Sequence, residues 1–329
     1  MSSLSHFCSK MPVVAGVLLV AILPGCATPP ETQGHRGARG HLPENTLPAF
    51  MKALDLGVDV LELDTGLTRD GVVVISHDPC LSPDFVRDVS GMWVTPKGPG
   101  DKFATCIVEL TWPQLRIFDV GRFKPGSDYA KRFATQSPLD GTRMPSLAAL
   151  FDAVKSRGDG RVRFNIETKI SPMARQETVP PQAFVESLVN VLRENGMAGR
   201  VTLQSFDWRT LLISQRLAPD IPTVYLTAQQ TWMENVGVGS IEGSAWTAEF
   251  NAREHGDSVP RMVKAAGGAI WSPHFGDLTP AKLAEAHALG LKVVVWTVNE
   301  PKDIVRMVQW KVDGIISDYP DRLKAASNR

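Results

Sequence analysis

Apolar positions along the chain recur in two rhythms. Short runs at 60–65, 163–169, 201–206, 223–227, 269–274, 292–298 and 314–317 read as strands, and stretches with apolar residues at helical spacing separate most of them. Helices are expected over 182–194, 210–217, 280–289 and 301–309. Another starts at Thr46, where Leu47, Phe50, Met51 and Leu54 share a face, and a further one follows the Ser146 cap. This alternation over so long a chain predicts a parallel β/α architecture. A strand ending at His35 and a run at 72–78 bring the candidates to nine for the eight places of a TIM (β/α)8 barrel. A doubly wound open sheet is the other way to arrange this rhythm, and no GxGxxG turn supports it.

The surplus strand has a local explanation. Seven residues between Asp64 and Val72 are too few for a parallel crossover, and Thr68-Arg69-Asp70-Gly71 carries a turn signal, so 60–65 and 72–78 form an antiparallel hairpin. A loop of two or four residues would set His77 opposite Glu62 or Asp64 on one face; a three-residue loop would reverse that face. Beyond the hairpin, 79–142 breaks the rhythm. It is rich in Pro, Gly and aromatic residues (Trp93, Trp112, Phe118, Phe123, Tyr129) and reads as an ordered insertion, a cap over the barrel mouth. Residues 228–262 read as another loop elaboration.

The first residues follow a different logic. Lys10 precedes an apolar run, 13–23, too short to span a bilayer, which ends at Leu23-Pro24-Gly25-Cys26. We read 1–26 as a signal peptide of lipoprotein type with Cys26 as the acylated residue, ordinary secretion and a short anchor helix being the alternatives. Residues 27–33 then form a tether and 34–325 the barrel domain. The expected location is periplasmic, with membrane contact only through the N-terminal lipid anchor. Cys8 and Cys26 belong to the leader, which leaves Cys80 and Cys106 to pair as a disulfide in an exported protein. Thirty-five basic residues balance 35 acidic ones, and no long basic run disturbs the balance, which disfavours a nucleic-acid partner. The pattern leaves the oligomeric state open.

Candidate chemistry gathers in a few stretches. Residues 34–46 place two histidines, two arginines, a glutamate and an asparagine where a strand passes into a helix. Glu62 and Asp64 share a strand face, and Glu167 stands near the end of another strand. Three acids without matching bases would repel unless a cation sits among them, and oxygen-only ligands suit Ca²⁺ or Mg²⁺. Solvated rim salt bridges are the alternative. His35 and His77 are candidates for proton transfer, Arg36 and Lys169 for phosphate oxygens, with Lys169 also placed to pair with Glu167. Glu44 and Asn45 either cap the helix or, for Glu44, stand near metal or substrate. Gln204, Trp296 and Asn299 fall at late strand ends where substrate contacts are expected, although Trp296 could be core packing.

His35-Arg36-Gly37, Glu44-Asn45-Thr46, Glu62-Leu63-Asp64, Thr68-Arg69-Asp70-Gly71 and His77-Asp78 together resemble the signature of the glycerophosphodiester phosphodiesterase family. Glu167-Thr168-Lys169, Gln204-Ser205-Phe206-Asp207, Trp296-Thr297-Val298-Asn299 and 313–320 resemble its later blocks, in the expected order. The resemblance implies one divalent cation, Ca²⁺ or Mg²⁺, on Glu62, Asp64 and Glu167, and a general acid/base pair in His35 and His77. It also implies a small-molecule glycerophosphodiester substrate, cleaved to sn-glycerol 3-phosphate and an alcohol. Two enzymatic alternatives sit on a related barrel: a phospholipase D-like and a phosphoinositide phospholipase-like phosphodiesterase. A non-catalytic surface lipoprotein would lack these side chains, and all five are present.

Overall fold

The computed structural model describes residues 29–98 and 100–327. The strands are β1 (Glu31–Gly34), β2 (Val60–Leu67), β3 (Val73–Ile75), β4 (Arg163–Thr168), β5 (Val201–Ser205), β6 (Thr223–Thr227), β7 (Gln229–Gln230), β8 (Met233–Glu234), β9 (Ile270–Pro273), β10 (Lys292–Val295) and β11 (Gly314–Ser317). Eight of them close a parallel ring in the order β1, β2, β4, β5, β6, β9, β10, β11, with β11 pairing back onto β1. The chain is a TIM barrel, and β3 is the strand that leaves the ring. Helices pack outside it through apolar faces: Phe50 from Leu47–Asp55, Phe151 from Leu147–Ser156 and Leu188 from Pro181–Glu194 are fully buried against the sheet.

The N-terminal expectation needs correction at one end. The signal peptide and Cys26 lie outside the described residues, but the tether assigned to 27–33 overlaps β1. Glu31-Thr32-Gln33-Gly34 has no apolar alternation, so the pattern marks the end of this strand near His35 but not its start inside the tether. Pairing on both sides makes it a strand, and Asp59 pins it: its Oδ2 accepts from the Thr32 backbone N–H at 2.8 Å and from Thr32 Oγ1 at 2.7 Å.

The hairpin forms, with a register other than the one sought. Thr65 pairs with Ile75 and Leu67 with Val73, so Ser76 falls opposite Asp64 and the even-loop alignment of His77 is wrong. The strand also stops at Ile75. His77 lies in the bend that follows, and that bend, rather than strand alternation, brings it to the site.

Between β3 and the helix Leu147–Ser156, the insertion builds a small core of its own. Leu81, Phe85, Val86, Ile107 and Leu115 are buried there with Val74. A disulfide joins Cys80 to Cys106 across 26 residues, a closure of about 3–4 kcal/mol by loop entropy. The insertion then crosses the barrel mouth. Gln136 Nε2 donates to the Arg39 carbonyl at 2.7 Å, and Phe133 lies under the Arg39 guanidinium, 4.4 Å from its ring centre. Residues 228–262 hold the small β7–β8 hairpin and run into the helix Val259–Ala265. Among the described residues no helix is long and apolar enough to cross a membrane.

Candidate active site

The strand ends at one mouth of the barrel supply the site, as this fold dictates. His35 follows β1, Lys169 follows β4, Phe206 follows β5, Trp296 follows β10 and Asp318 follows β11. They surround a cavity of about 530 Å³ that is also lined by Arg36, Arg39, Glu62, His77, Glu167 and Gln204. Glu62 and Asp64 face inward from β2, and Asp64 is in register with Glu167 on the neighbouring β4. One oxygen from each of the three carboxylates lies within 4.8 Å of the others.

The loop after β1 is shaped by its backbone. Arg36 and Asn45 both have positive φ, and so does Gly37, where a Cβ would meet the Ala49 carbonyl carbon at 2.6 Å. Thr46, not Glu44 or Asn45, caps the helix by accepting from the Ala49 N–H. That frees the other two side chains. Asn45 Nδ2 donates to Asp64 Oδ2 at 2.9 Å. Glu44 was expected to touch substrate or metal, but the structure turns it to the arginines. Arg36 Nη1 donates to its Oε1 at 2.6 Å, and Arg39 Nε stands 2.6 Å from its Oε2 in a bent ion pair. Glu44 holds two arginines and does not line the cavity.

Burial and mutual repulsion set the acids apart. Burial, with Asp64 beside it, pushes Glu62 well above the usual carboxylate range. Glu167 is pushed up to about 7 by burial, against the pull of Lys169, whose Nζ is 2.9 Å from its Oε1. Asp64, despite the upward push of burial, is held well below the range by Arg36, then His77 and Lys169. Two of the three inward carboxylates thus resist ionisation, and among the described residues Arg36 and Lys169 are the permanent positive charges paired with the triad. An all-oxygen, underneutralised cluster is the donor set a hard divalent cation fits.

Each histidine has a carboxylate behind it. His35 Nδ1 lies 2.6 Å from Asp318 Oδ1, leaving Nε2 toward Glu62 Oε2 at 3.9 Å. His77 Nδ1 lies 2.9 Å from Asp78 Oδ1. Burial lowers both imidazoles, His77 to about 4 with Arg36 and Lys169 adding to the effect. Asp318 is buried yet held below its usual range by His35; the sequence puts it at a strand end, and the closed ring puts it beside His35, because Gly34 and Ser317 are in register. Asn299 Nδ2 donates to the other Asp318 oxygen at 2.7 Å.

Gln204 was expected to touch substrate, and it reaches the cavity floor with its amide directed elsewhere. Its Nε2 donates to Glu62 Oε1 at 2.6 Å. Trp296 donates its indole N–H to the Ser272 carbonyl at 2.9 Å and shows its ring to the cavity, edge-on to Phe206 and to Trp232. Arg39 and Trp232 escaped sequence reading. The two arginines three residues apart, both shortly before Glu44, were a signal for Arg39; Trp232 gave none.

Residues 35–322 match the model of the glycerophosphoryl diester phosphodiesterase family. A glycerophosphodiester phosphodiesterase of Caldanaerobacter subterraneus is 26% identical over 289 residues, covering 88% of this chain and 94% of that one. A solved structure from Silicibacter pomeroyi, provisionally named a glycerophosphoryl diester phosphodiesterase, is 36% identical with a TM-score of 0.77, covering 91% and 93%. A phosphodiesterase of Oleispira antarctica, solved in complex with the product sn-glycerol-3-phosphate, has the same fold at 21% identity and TM-score 0.62, covering 92% and 98%.

Proposed function

The chain belongs to the glycerophosphoryl diester phosphodiesterase family and is an enzyme that hydrolyses glycerophosphodiesters; on that premise we propose that one divalent cation and a pair of histidines do the work. The observation that carries this reading is the buried triad Glu62, Asp64 and Glu167, flanked by two cations and two carboxylate-backed histidines. A bound cation would offset the triad's charge and act as a Lewis acid toward substrate oxygens. We take Ca²⁺ as the first candidate and Mg²⁺ as the second, and sn-glycerol 3-phosphate and an alcohol as the products. The Oleispira protein's sn-glycerol-3-phosphate complex supports that choice of product.

Arg36 and Lys169 are placed to hold the phosphoryl oxygens as charge develops on them. Asp318 and Asp78 accept the Nδ1 protons of His35 and His77 and leave each Nε2 available. One imidazole takes the proton of the glycerol 2-hydroxyl while its oxygen bonds to phosphorus. The other gives a proton to the departing alcohol as the P–O bond breaks. The nucleophile belongs to the substrate, so the step gains the advantage of an intramolecular reaction. Water then opens the cyclic phosphate with the histidine roles exchanged. The apolar side of the cavity, with Trp296, Phe206 and Trp232, would receive the alcohol part. An analogue lacking the 2-hydroxyl should bind and hardly turn over; near-normal hydrolysis would leave the histidines serving an external water.

We also propose export, with Cys26 as the acylated residue and the envelope as the location. The Cys80–Cys106 disulfide, a bond that oxidising compartments favour, supports export.

A further inference from the structure

The interior of a TIM barrel is ordinarily filled by branched apolar side chains. Here one line of it is amide. Gln33 on β1, Asn165 on β4 and Gln204 on β5 are almost wholly buried, and hydrogen bonds connect them into a chain that runs down the barrel from Glu62. Gln204 Nε2 donates to Glu62 Oε1 at 2.6 Å, and Gln204 Oε1 accepts from Asn165 Nδ2 at 2.9 Å. The same Asn165 Nδ2 donates its second proton to Gln33 Oε1 at 3.1 Å. Gln33 Nε2 then donates to Glu31 Oε1 at 2.8 Å, and the other Glu31 oxygen meets the Arg163 guanidinium at the opposite mouth.

The direction of every amide follows from the ends. Both glutamines turn their NH₂ groups outward, one to Glu62 and one to Glu31, the arrangement that suits carboxylates that only accept, as Glu62 must once a cation is bound. Their two carbonyl oxygens are then left facing each other in a dry interior. Only a group with two N–H donors can serve both, and the Asn165 amide is that group. Its own carbonyl accepts from Thr202 Oγ1 at 2.9 Å, which fixes its orientation in turn. Glu62 is pinned from both sides as a result: Gln204 holds Oε1, and the Arg36 backbone N–H donates to Oε2 at 2.9 Å. Each oxygen keeps a further lone-pair direction for a ligand.

We infer that Asn165 is a positioning residue of the cation site, acting through Gln204 to set the orientation in which Glu62 meets the ion. The inference rests on the cation reading of the carboxylate triad. Groups that orient a metal ligand typically change metal affinity by about 10–100-fold when removed. Asn165→Leu keeps the branching of the side chain, at a larger volume, and removes both donors, so calorimetric titration of the chelated full chain with Ca²⁺ should give a dissociation constant weaker by about tenfold or more. Thr202→Val removes only the bond that orients the Asn165 amide and should weaken Ca²⁺ by about threefold, the worth of one neutral hydrogen bond. The cation concentration giving half-maximal activity should rise in step. A merely structural role would lower the melting temperature of the chelated protein and leave the Ca²⁺ constant alone. If folded Asn165→Leu, or Thr202→Val where Asn165→Leu does not fold, binds Ca²⁺ within the titration error of the parent, the inference is overturned while the cation reading stands. If the parent itself binds neither Ca²⁺ nor Mg²⁺, both fall together.

Discussion

The two mouths of the barrel hold charged residues in different ways. The mouth at the strand N-terminal ends opens on the larger cavity, about 710 Å³ against about 530 Å³. Two ion pairs there join one partner to one and are partly exposed: Arg163 with Glu31, and His287 with Asp313. At the other mouth, Arg36 serves both Glu44 and Asp64, Lys169 reaches both Glu167 and Asp64, and His35 stands between Asp318 and Glu62. All three inward acids there are less than a tenth exposed. Exposed pairs are worth little and can be exchanged freely, whereas buried, shared charges hold one another in strained protonation states. Size does not single out the reactive end; unmet electrostatic demand does.

The largest effect should come from the shared end. His35→Ala and His77→Ala should each lower kcat by about 10²–10⁴-fold, measured by glycerophosphocholine turnover, with cation affinity far less changed. Equal loss of cation binding would mean these histidines serve the metal and not the proton.

Next comes Glu44, buried between two guanidiniums. Glu44→Ala should cost about 3–5 kcal/mol in denaturant unfolding, because two arginines lose their shared partner. A change below about 1 kcal/mol, the scale of an exposed pair, would erase the contrast between the mouths.

A pH effect follows from the acids. Burial raises the Glu62 and Glu167 pKa values in the folded protein, so the folded state binds protons more tightly than the unfolded chain, and stability is lost as pH rises through the folded values. His35 and His77 are shifted down and act in the opposite sense, but their contribution is essentially complete above the unfolded value of 6.5. Chelated protein should therefore lose melting temperature as pH rises from about 6.5 through the Glu167 value of about 7. Glu167→Gln should blunt the loss, and an unchanged slope in that variant would assign it elsewhere. The smallest effect belongs to the other mouth. Arg163→Ala should cost less than about 1 kcal/mol and leave kcat/KM within about twofold; a tenfold loss of activity would carry function to that end.

Much of this was legible in the chain. The apolar runs gave seven ring strands because each alternates or packs on both faces, and the acids of 60–65 lay on one face by simple period. Of β1 only the end near His35 was legible; its residues lack apolar alternation, and pairing with its neighbours is what makes 31–33 a strand and not a tether. The His77 register was missed because the side chain follows the strand end, where alternation stops applying. Glu44 and Gln204 were seen as polar groups near the site, but what they face depends on strands far away in sequence. The amide chain through Asn165 left no pattern at all: lone amides in apolar runs look the same whether they meet each other or water.

We propose that the buried carboxylate triad works only with a cation. Glycerophosphocholine hydrolysis after exhaustive EDTA treatment, followed by measured return of Ca²⁺ or Mg²⁺, tests it most directly. Chelation should abolish turnover, a divalent cation should restore it, and neither cation should restore it in Asp64→Ala. Full activity in excess EDTA would contradict the proposal.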